Sequence, residues 1–343
     1  MSNLNNYILA IESSCDDTSC AVFVNDVVLS NITANQKIHA LHGGVIPELA
    51  SRDHQKNIVL VVEQALLKAN VSLKDLNAIA VTTGPGLMGS LLVGLSFSKS
   101  LALSLNIPLI EVNHMQGHIL AHFIKEKGNL TKEQPQFPML CLTVSGGHTQ
   151  LVKVSDYLKF DLLGETIDDA VGEAFDKAAK ILGLPYPGGP LIDKLAQEGD
   201  ASLFKFAETK VPNYDYSFSG IKTSFLYFIQ KEVQKNPKFI KENLNNICAS
   251  YQHHLIKVLL KNVRQVLMEN KFASLAIAGG VSANSELRNQ VQVLGSELNI
   301  KTFIPLFEYC TDNAAMIGIT AYFKYLNKQF ATLDLVPQTR LDV

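Results

Sequence analysis

The sequence predicts an α/β protein built from two similar halves, and two recurrences carry that reading. A strand–turn–strand unit spans residues 7–12, 13–19 and 20–24, and again 139–144, 145–149 and 150–154. A strand–glycine turn–helix unit follows each. Residues 78–82, Gly84-Pro85-Gly86 and an apolar helix over 89–105 are echoed by residues 275–278, Gly279-Gly280 and a helix over 284–294. Identity between the halves is slight, but two echoes in the same order favour duplication. Two such halves facing one another would enclose a ligand cleft, a preferred place for a site.

The elements follow in order. The chain has 343 residues, 47% of them hydrophobic and 18% charged, which suits a sizeable core and two medium domains. One half is expected over residues 1–130, joined by the C-terminal helix region 312–343, and the other over 131–311. The charged, then proline-containing stretch 125–138 marks the boundary. Residues 47–69 read as a long helix, because Ile58, Val61, Val62, Ala65 and Leu66 recur at helical spacing. The uncharged stretch 78–98 is long enough to span a bilayer, but Gly84-Pro85-Gly86 breaks it, so a buried strand, turn and helix are expected. Glu12 comes too early for a signal peptide. Five cysteines (15, 20, 141, 248, 310) show no CxxC spacing, which argues against a disulfide framework and a zinc ribbon. A reduced, cytoplasmic protein is expected.

Net charge is −2 and only four residues are Arg, so no strong basic footprint announces nucleic acid. Any anion grip must come from Lys, backbone N–H groups or a metal. Residues 231–241 carry Lys231, Lys235, Lys238 and Lys241 against Glu232, either as a solvated helix face or as a polyanion-binding surface.

Several motifs could carry chemistry. His114 and His118 lie four apart where the chain looks helical, so both imidazoles share one face and could reach one cation. A zinc protease would place Glu after the first histidine; here Met115 stands there. His122 extends the stripe but reads as structural. Gly84-Pro85-Gly86-Leu87-Met88-Gly89 satisfies the GxGxxG dinucleotide pattern, with Glu111 on the next strand as a candidate ribose-binding acid. No Walker A loop is present. Glycine turns at 145–149, 186–190 and 278–284 could each approach a phosphate, and together they favour a nucleotide. Asp169, Glu173 and Asp176 share a helical spacing, as either a solvent face or a ribose-binding acidic face. Asp312 precedes a helix, as either its cap or a third, oxygen ligand to the two histidines.

In order along nearly the whole chain, these motifs resemble the universal tRNA threonylcarbamoyladenosine transferase family. The residues are Ile11 to Asp16, Gly43 to Glu48, Ser51 to His54, Gly84 to Leu87, His114 with His118, Val144 to Gln150, Gly172 to Lys177, Tyr186 to Pro190, Ser217 to Gly220, Gly279 to Asn284 and Cys310 to Asn313. The resemblance implies the fold shared by actin, hexokinase and the heat-shock ATPases. It implies transfer of a threonylcarbamoyl group from threonylcarbamoyl-AMP to N6 of adenosine 37 in tRNAs reading codons that begin with A. Carried over by position, it makes His114, His118 and Asp312 ligands of one divalent metal ion, usually iron with zinc as the alternative. Thr143, Val144, Ser145, Gly146, Gly147, Asp176, Gly189, Asp193 and Asn284 fall on its substrate-binding positions. Asp17 stands where many relatives have Glu, and His122 is outside the pattern. It implies TsaB and TsaE as partner proteins and no membrane. Asp16, on the turn expected to face the cleft, is the candidate general base. The rivals are a nucleotide-binding ATPase or scaffold of the same fold, a metalloprotease, and a dehydrogenase resting on the GxGxxG alone.

Overall fold

Runs of aliphatic residues too continuous for a half-exposed strand become the central strands of two mixed sheets. The computed structural model describes residues 5–36, 38–208 and 211–343. By internal packing these form two units. The first comprises the described residues of Met1–Gln134, Tyr157–Lys159 and Pro305–Val343; the second comprises Pro135–Asp156 and Phe160–Ile304.

In the first unit, β1 (Tyr7–Glu12), β2 (Asp17–Val24) and β3 (Val27–Asn35) form an antiparallel meander. Parallel strands β4 (Ala78–Gly84) and β5 (Leu109–Asn113) extend it beyond β1. The short β6 (Lys125–Glu126) closes the far edge, giving the order β5-β4-β1-β2-β3-β6. Alternation sorts the two faces. Leu9, Ile11, Cys20, Val22, Ile79 and Val81 pack with helices α2 (Pro47–Ala69) and α3 (Met88–Leu105). The short α1 (His39–His42) precedes α2, and α4 (His114–Leu120) follows β5. Pro47 opens α2, where a missing N–H costs nothing, and the left-handed Asn70 ends it.

The second unit repeats this order. Strands β7 (Met139–Val144), β8 (Thr149–Asp156) and β9 (Lys159–Glu165) stand for β1–β3. The parallel β10 (Ser274–Ala278) and β11 (Lys301–Phe303) stand for β4 and β5, giving β11-β10-β7-β8-β9. Its core gathers Leu140, Leu142, Leu151 and Leu275 with helices α5 (Val171–Ile181), α6 (Gly189–Ala196), α7 (Ser219–Lys235), α8 (Phe239–Glu269) and α9 (Ser285–Glu297). Helix α10 (Ala314–Leu326) returns to the first unit and packs on β1 and β2, with Gly318 against the Phe23 ring. The stretch 78–98 is β4, a turn and the start of α3. By length and composition Met88–Leu105 is apolar enough to cross a membrane, and here it packs on β4 and α2.

Candidate metal centre and second-unit pocket

The metal centre is assembled where β5 turns into α4 and where the chain enters α10. Asn113, the last residue of β5, caps α4: its Oδ1 accepts the N–H groups of Met115 and Gln116 at 2.8 and 3.2 Å. This fixes the first turn of α4, with His114 as its first residue and His118 one turn on. Asn313 does the same for α10, its Oδ1 accepting from the Met316 N–H at 3.1 Å. Asp312 is therefore not the cap, and its carboxylate turns to the histidines. Asp312 Oδ1 stands 3.2 Å from His118 Nε2 and 3.4 Å from His114 Nε2. The two rings are edge-on, with centroids 4.7 Å apart.

One ligand atom from each of the three residues lies within 4.8 Å of the others. Four-coordinate metal bonds of about 2.0–2.1 Å set ligands about 3.3 Å apart, so the two histidine–carboxylate spacings suit one shared ion. Two imidazoles and a carboxylate also suit a divalent transition metal by donor type. These three residues could hold a metal ion.

Electrostatics agree with a built site. Burial alone would raise the Asp312 carboxyl, but the charge of His114 and hydrogen bonds to both histidines hold it far below the usual range. Burial would lower His114, yet Asp312 and Glu12 outweigh it and raise the imidazole well above its ordinary value. Burial pushes His118 down, against its hydrogen bond with Asp312 and with help from the neighbouring His114.

Glu12 is the residue that sequence reasoning passed over. It was legible only as one letter of a motif, although a carboxylate ending an otherwise aliphatic strand was a signal. Asp16 is half-buried on the β1–β2 turn. Beside it, Asp17 accepts from Asn35 Nδ2 at 2.7 Å. Burial raises the Asp17 carboxyl to about 7, opposed by Asn35 and helped by the charges of Asp312, Asp16 and Glu12. His54, from the Ser51-Arg52-Asp53-His54 motif, braces this turn: its Nδ1 meets Thr18 Oγ1 at 2.8 Å and its Nε2 the Cys15 carbonyl at 3.0 Å. His122 is buried just past α4 and stands outside the three grouped residues.

The second unit has its own cavity of about 240 Å³, lined by Gly146, Asp176, Gly189, Asp193 and Asn284 with an apolar wall of Phe175, Pro187 and Val281. Thr143, Val144, Ser145 and Gly147 are not among its lining residues. Thr143 and Val144 are buried in β7, and Ser145 closes its own turn by accepting the His148 N–H on Oγ at 3.0 Å. Gly279, at φ +85°, lies against the Val144 carbonyl where a Cβ would collide. Asp176 Oδ1 accepts the N–H groups of Gly188 and Gly189 at 2.8 and 3.3 Å, which ties the glycine turn to α5. Burial still raises that carboxyl. Asp193 accepts from Ser285 Oγ at 2.7 Å, Ser285 N–H at 3.1 Å and Gln252 Nε2 at 3.1 Å. Asn284 caps α9 and donates to Gln252 Oε1 at 2.7 Å.

Three expectations are corrected. Asp169, Glu173 and Asp176 do not form one ribose-binding face. Asp169 precedes α5 and pairs with Lys177 and Lys222 at 2.9 and 2.8 Å, and Glu173 pairs with Lys177 at 2.7 Å, so only Asp176 reaches the cavity. The GxGxxG turn is filled by protein rather than open to a dinucleotide. A Cβ on Gly84 would run into the Gln338 carbonyl, the Gly86 N–H donates to the Thr339 carbonyl at 3.3 Å, and Gly86 packs on the Ser14 backbone. The lysine run 231–241 straddles the end of α7 and the start of α8 rather than one helix face, and Lys235 pairs with Glu232 at 2.7 Å.

Fold and site together define a duplicated α/β protein of the actin–hexokinase–heat-shock ATPase kind, with a His/His/Asp group able to hold a metal. Its fold is similar to full-length HypF in its phosphate- and nucleotide-bound form (TM-score 0.61, 12% identity, 95% of this chain and 47% of that one). It is also similar to (R)-2-hydroxyglutaryl-CoA dehydratase component A of Acidaminococcus fermentans (TM-score 0.53, 13% identity, 94% and 99%). The model of the TsaD family, tRNA N6-adenosine threonylcarbamoyltransferase, matches residues 27–319. Proteins of that name from Christiangramia forsetii and Cytophaga hutchinsonii are 59% identical over 340 residues (99% of both chains) and 54% identical over 336 residues (98% of this chain, 96% of that one). The chain belongs to the tRNA N6-adenosine threonylcarbamoyltransferase family, and with it to the acyl-transferring enzymes of tRNA modification.

Proposed function

We propose that this chain takes the threonylcarbamoyl group from threonylcarbamoyl-AMP and passes it to N6 of adenosine 37 in tRNAs that read codons beginning with A. The observation that carries the proposal is the convergence of His114, His118 and Asp312. A nucleotide-binding scaffold or ATPase of this fold does not need that group, whereas the transferase reading gives it a task. The ion these residues would hold is Fe2+, with Zn2+ as the alternative; when bound it supplies a Lewis acid for the carbamoyl carbonyl, whose oxygen gains charge as the adenine amine attacks.

The chain's own groups do the rest. Asp176 keeps one carboxylate oxygen on the Gly188 and Gly189 N–H groups, which leaves the other for a ribose hydroxyl. Phe175 and Val281 offer an apolar wall to the adenine. The residues 143–147 present a glycine turn to the phosphate, with Gly146 at the cavity. Asp193 and Asn284 line the cavity and are held in place by hydrogen bonds to Ser285 and Gln252. Because AMP is already a good leaving group, the remaining need is to take a proton from the attacking amine. Asp16 is assigned that task. Partners of the TsaB and TsaE kinds would work with the chain in the cytoplasm.

The test is Asp312→Asn. Asn313 holds the α10 cap, so the substitution leaves helix termination untouched. Bound metal and threonylcarbamoyl transfer from preformed adenylate, assayed with TsaB and TsaE present, should both fall, transfer by a hundredfold or more on the order expected for metal assistance. AMP binding should persist. Wild-type transfer by a folded, metal-free variant would leave a nucleotide-binding protein with a structural metal.

A further inference from the structure

We infer that Glu12 is the positioning residue of the metal centre: its buried carboxylate sets the ring orientation and tautomer of His114. This deepens the metal assignment above and rests on it.

Glu12 is the last residue of β1 and is wholly buried. An ionised carboxylate in such a place is costly unless each oxygen is satisfied. Here both are. Oε1 accepts the Ser14 N–H at 2.5 Å, from the turn that follows β1. Oε2 accepts the Thr82 hydroxyl at 2.5 Å, from the neighbouring β4, and faces His114 Nδ1 at 3.2 Å. The two fixed donors come from the backbone of the turn and from the parallel partner strand, so sheet register places the carboxylate independently of the histidine. Ser14 Oγ stands 3.1 Å from the same Nδ1 and can either accept or donate there, so the carboxylate decides the arrangement once Nε2 is turned to an ion beside Asp312. With its proton on Nδ1, the ring donates to Glu12 and presents the Nε2 lone pair on the side of Asp312, 3.4 Å away. With the proton on Nε2, the Nδ1 lone pair would face the Glu12 carboxylate and Nε2 could not bind an ion held between it and Asp312.

The two histidines are unequal in this respect. His118 Nδ1 is buried and has no hydrogen-bond partner among the described residues. His118 is held by its helix and by Asp312, whereas His114 is held from behind by a charge. Carboxylates behind metal-binding histidines fix the tautomer and raise ligand basicity, and their loss costs about 10–100-fold in metal affinity.

The experiment compares Glu12→Gln, Thr82→Val and His114→Ala with the wild type. An amide has one acceptor oxygen where the carboxylate has two, so in Glu12→Gln either Ser14 or His114 faces a donor. Zn2+ affinity is measured by competition with a chromophoric chelator, and the melting temperature of each metal-free protein is taken separately. Glu12→Gln should bind Zn2+ about 10–100-fold more weakly. Thr82→Val, which removes a donor but leaves both oxygens, should lose melting temperature with only a small change in affinity. In Zn2+-loaded wild-type protein, 15N spectra should show His114 protonated at Nδ1, a readout that needs no variant to fold. Zn2+ affinity unchanged in a folded Glu12→Gln protein, or a deprotonated Nδ1, overturns the inference. Equal Zn2+ binding by His114→Ala and wild type would instead overturn the metal assignment on which it rests.

Discussion

At the entrance to α10, two adjacent residues divide work that either could have done. Asn313 caps the helix, and Asp312 is left free for the histidines. Sequence alone left Asp312 with both roles, because Asp and Asn cap about equally well and nothing local says which of two neighbours turns inward. Asp17 shows a similar limit. Its substitution for a longer acid was visible, but its burial and its three acidic neighbours were not, since those depend on the β2–β3 pairing and on Asp312 far along the chain. The structure gives it a consequence. Its carboxyl is raised from 3.8 to about 7, so between those values the folded protein holds a proton that the unfolded chain has released. Stability should therefore fall as pH rises from about 4 to about 7. Asp17→Asn keeps the acceptor for Asn35 and removes the titration. In chelator-treated protein, the melting temperature of the variant should gain on that of the wild type across this window and hold a constant lead above it. A bound cation near Asp312 should lower the Asp17 value and shrink the window. A constant difference between the two proteins from pH 4 to 8 would refute the assignment.

At the scale of elements, the turn between β4 and α3 shows how a correct local reading can carry the wrong occupant. Strand, glycine turn and helix were legible because aliphatic run, Gly84-Pro85-Gly86 and apolar periodicity are all local signals. What fills the turn was not, because its partner lies at residues 331–342. That segment donates the Ala331 N–H to the Leu109 carbonyl at 2.8 Å and the Gln338 N–H to the Thr83 carbonyl at 2.7 Å. It accepts the Lys99 ammonium on the Leu335 carbonyl, and Asn113 Nδ2 on the Asp342 carbonyl at 2.7 Å. The last contact links the segment to the residue that caps the histidine helix. Gly84 permits the close approach, at φ +158° and with no room for a Cβ. Gly84→Ala should therefore push residues 338–342 off the turn. Limited proteolysis within 331–343 should quicken about tenfold, which by mass action corresponds to roughly 1.4 kcal/mol less favourable docking. Cleavage at the wild-type rate would mean that the alanine is accommodated without displacing the segment.

For the whole molecule, the repeated strand order is what the two sequence echoes pointed to, and it survives where residue identity has faded. The meander β1–β3 and the parallel pair β4 and β5 recur as β7–β9 with β10 and β11, because alternation, aliphatic runs and glycine turns encode topology with few specific residues. The site was legible to a different degree in each unit. The histidine pair was readable because residues four apart share a helix face, and Asp312 was readable as a third ligand only alongside its capping role, a choice the family resemblance favoured. The substrate positions were less so, since residues 143–145 and 147 shape the glycine turn without lining the cavity, and only packing separates those roles. The two units differ in chemistry: the His/His/Asp group able to hold a metal belongs to the first and the glycine-lined cavity to the second. Each ligand should accordingly protect its own unit. A ligand at about a hundred times its Kd stabilises what it binds by about 2.7 kcal/mol, enough to slow hydrogen exchange through local opening close to a hundredfold. Zn2+ alone should slow exchange in residues 12–20, 113–120 and 310–318, where ligands, caps and the Glu12 turn lie. AMP alone should slow exchange in residues 172–190 and 279–287, where Asp176, the glycine turns and the α9 cap lie. Asp312→Asn should abolish the first pattern and spare the second, while Asp176→Asn should weaken the second and spare the first. AMP protection concentrated in residues 113–120 would show that the second-unit cavity is not its site.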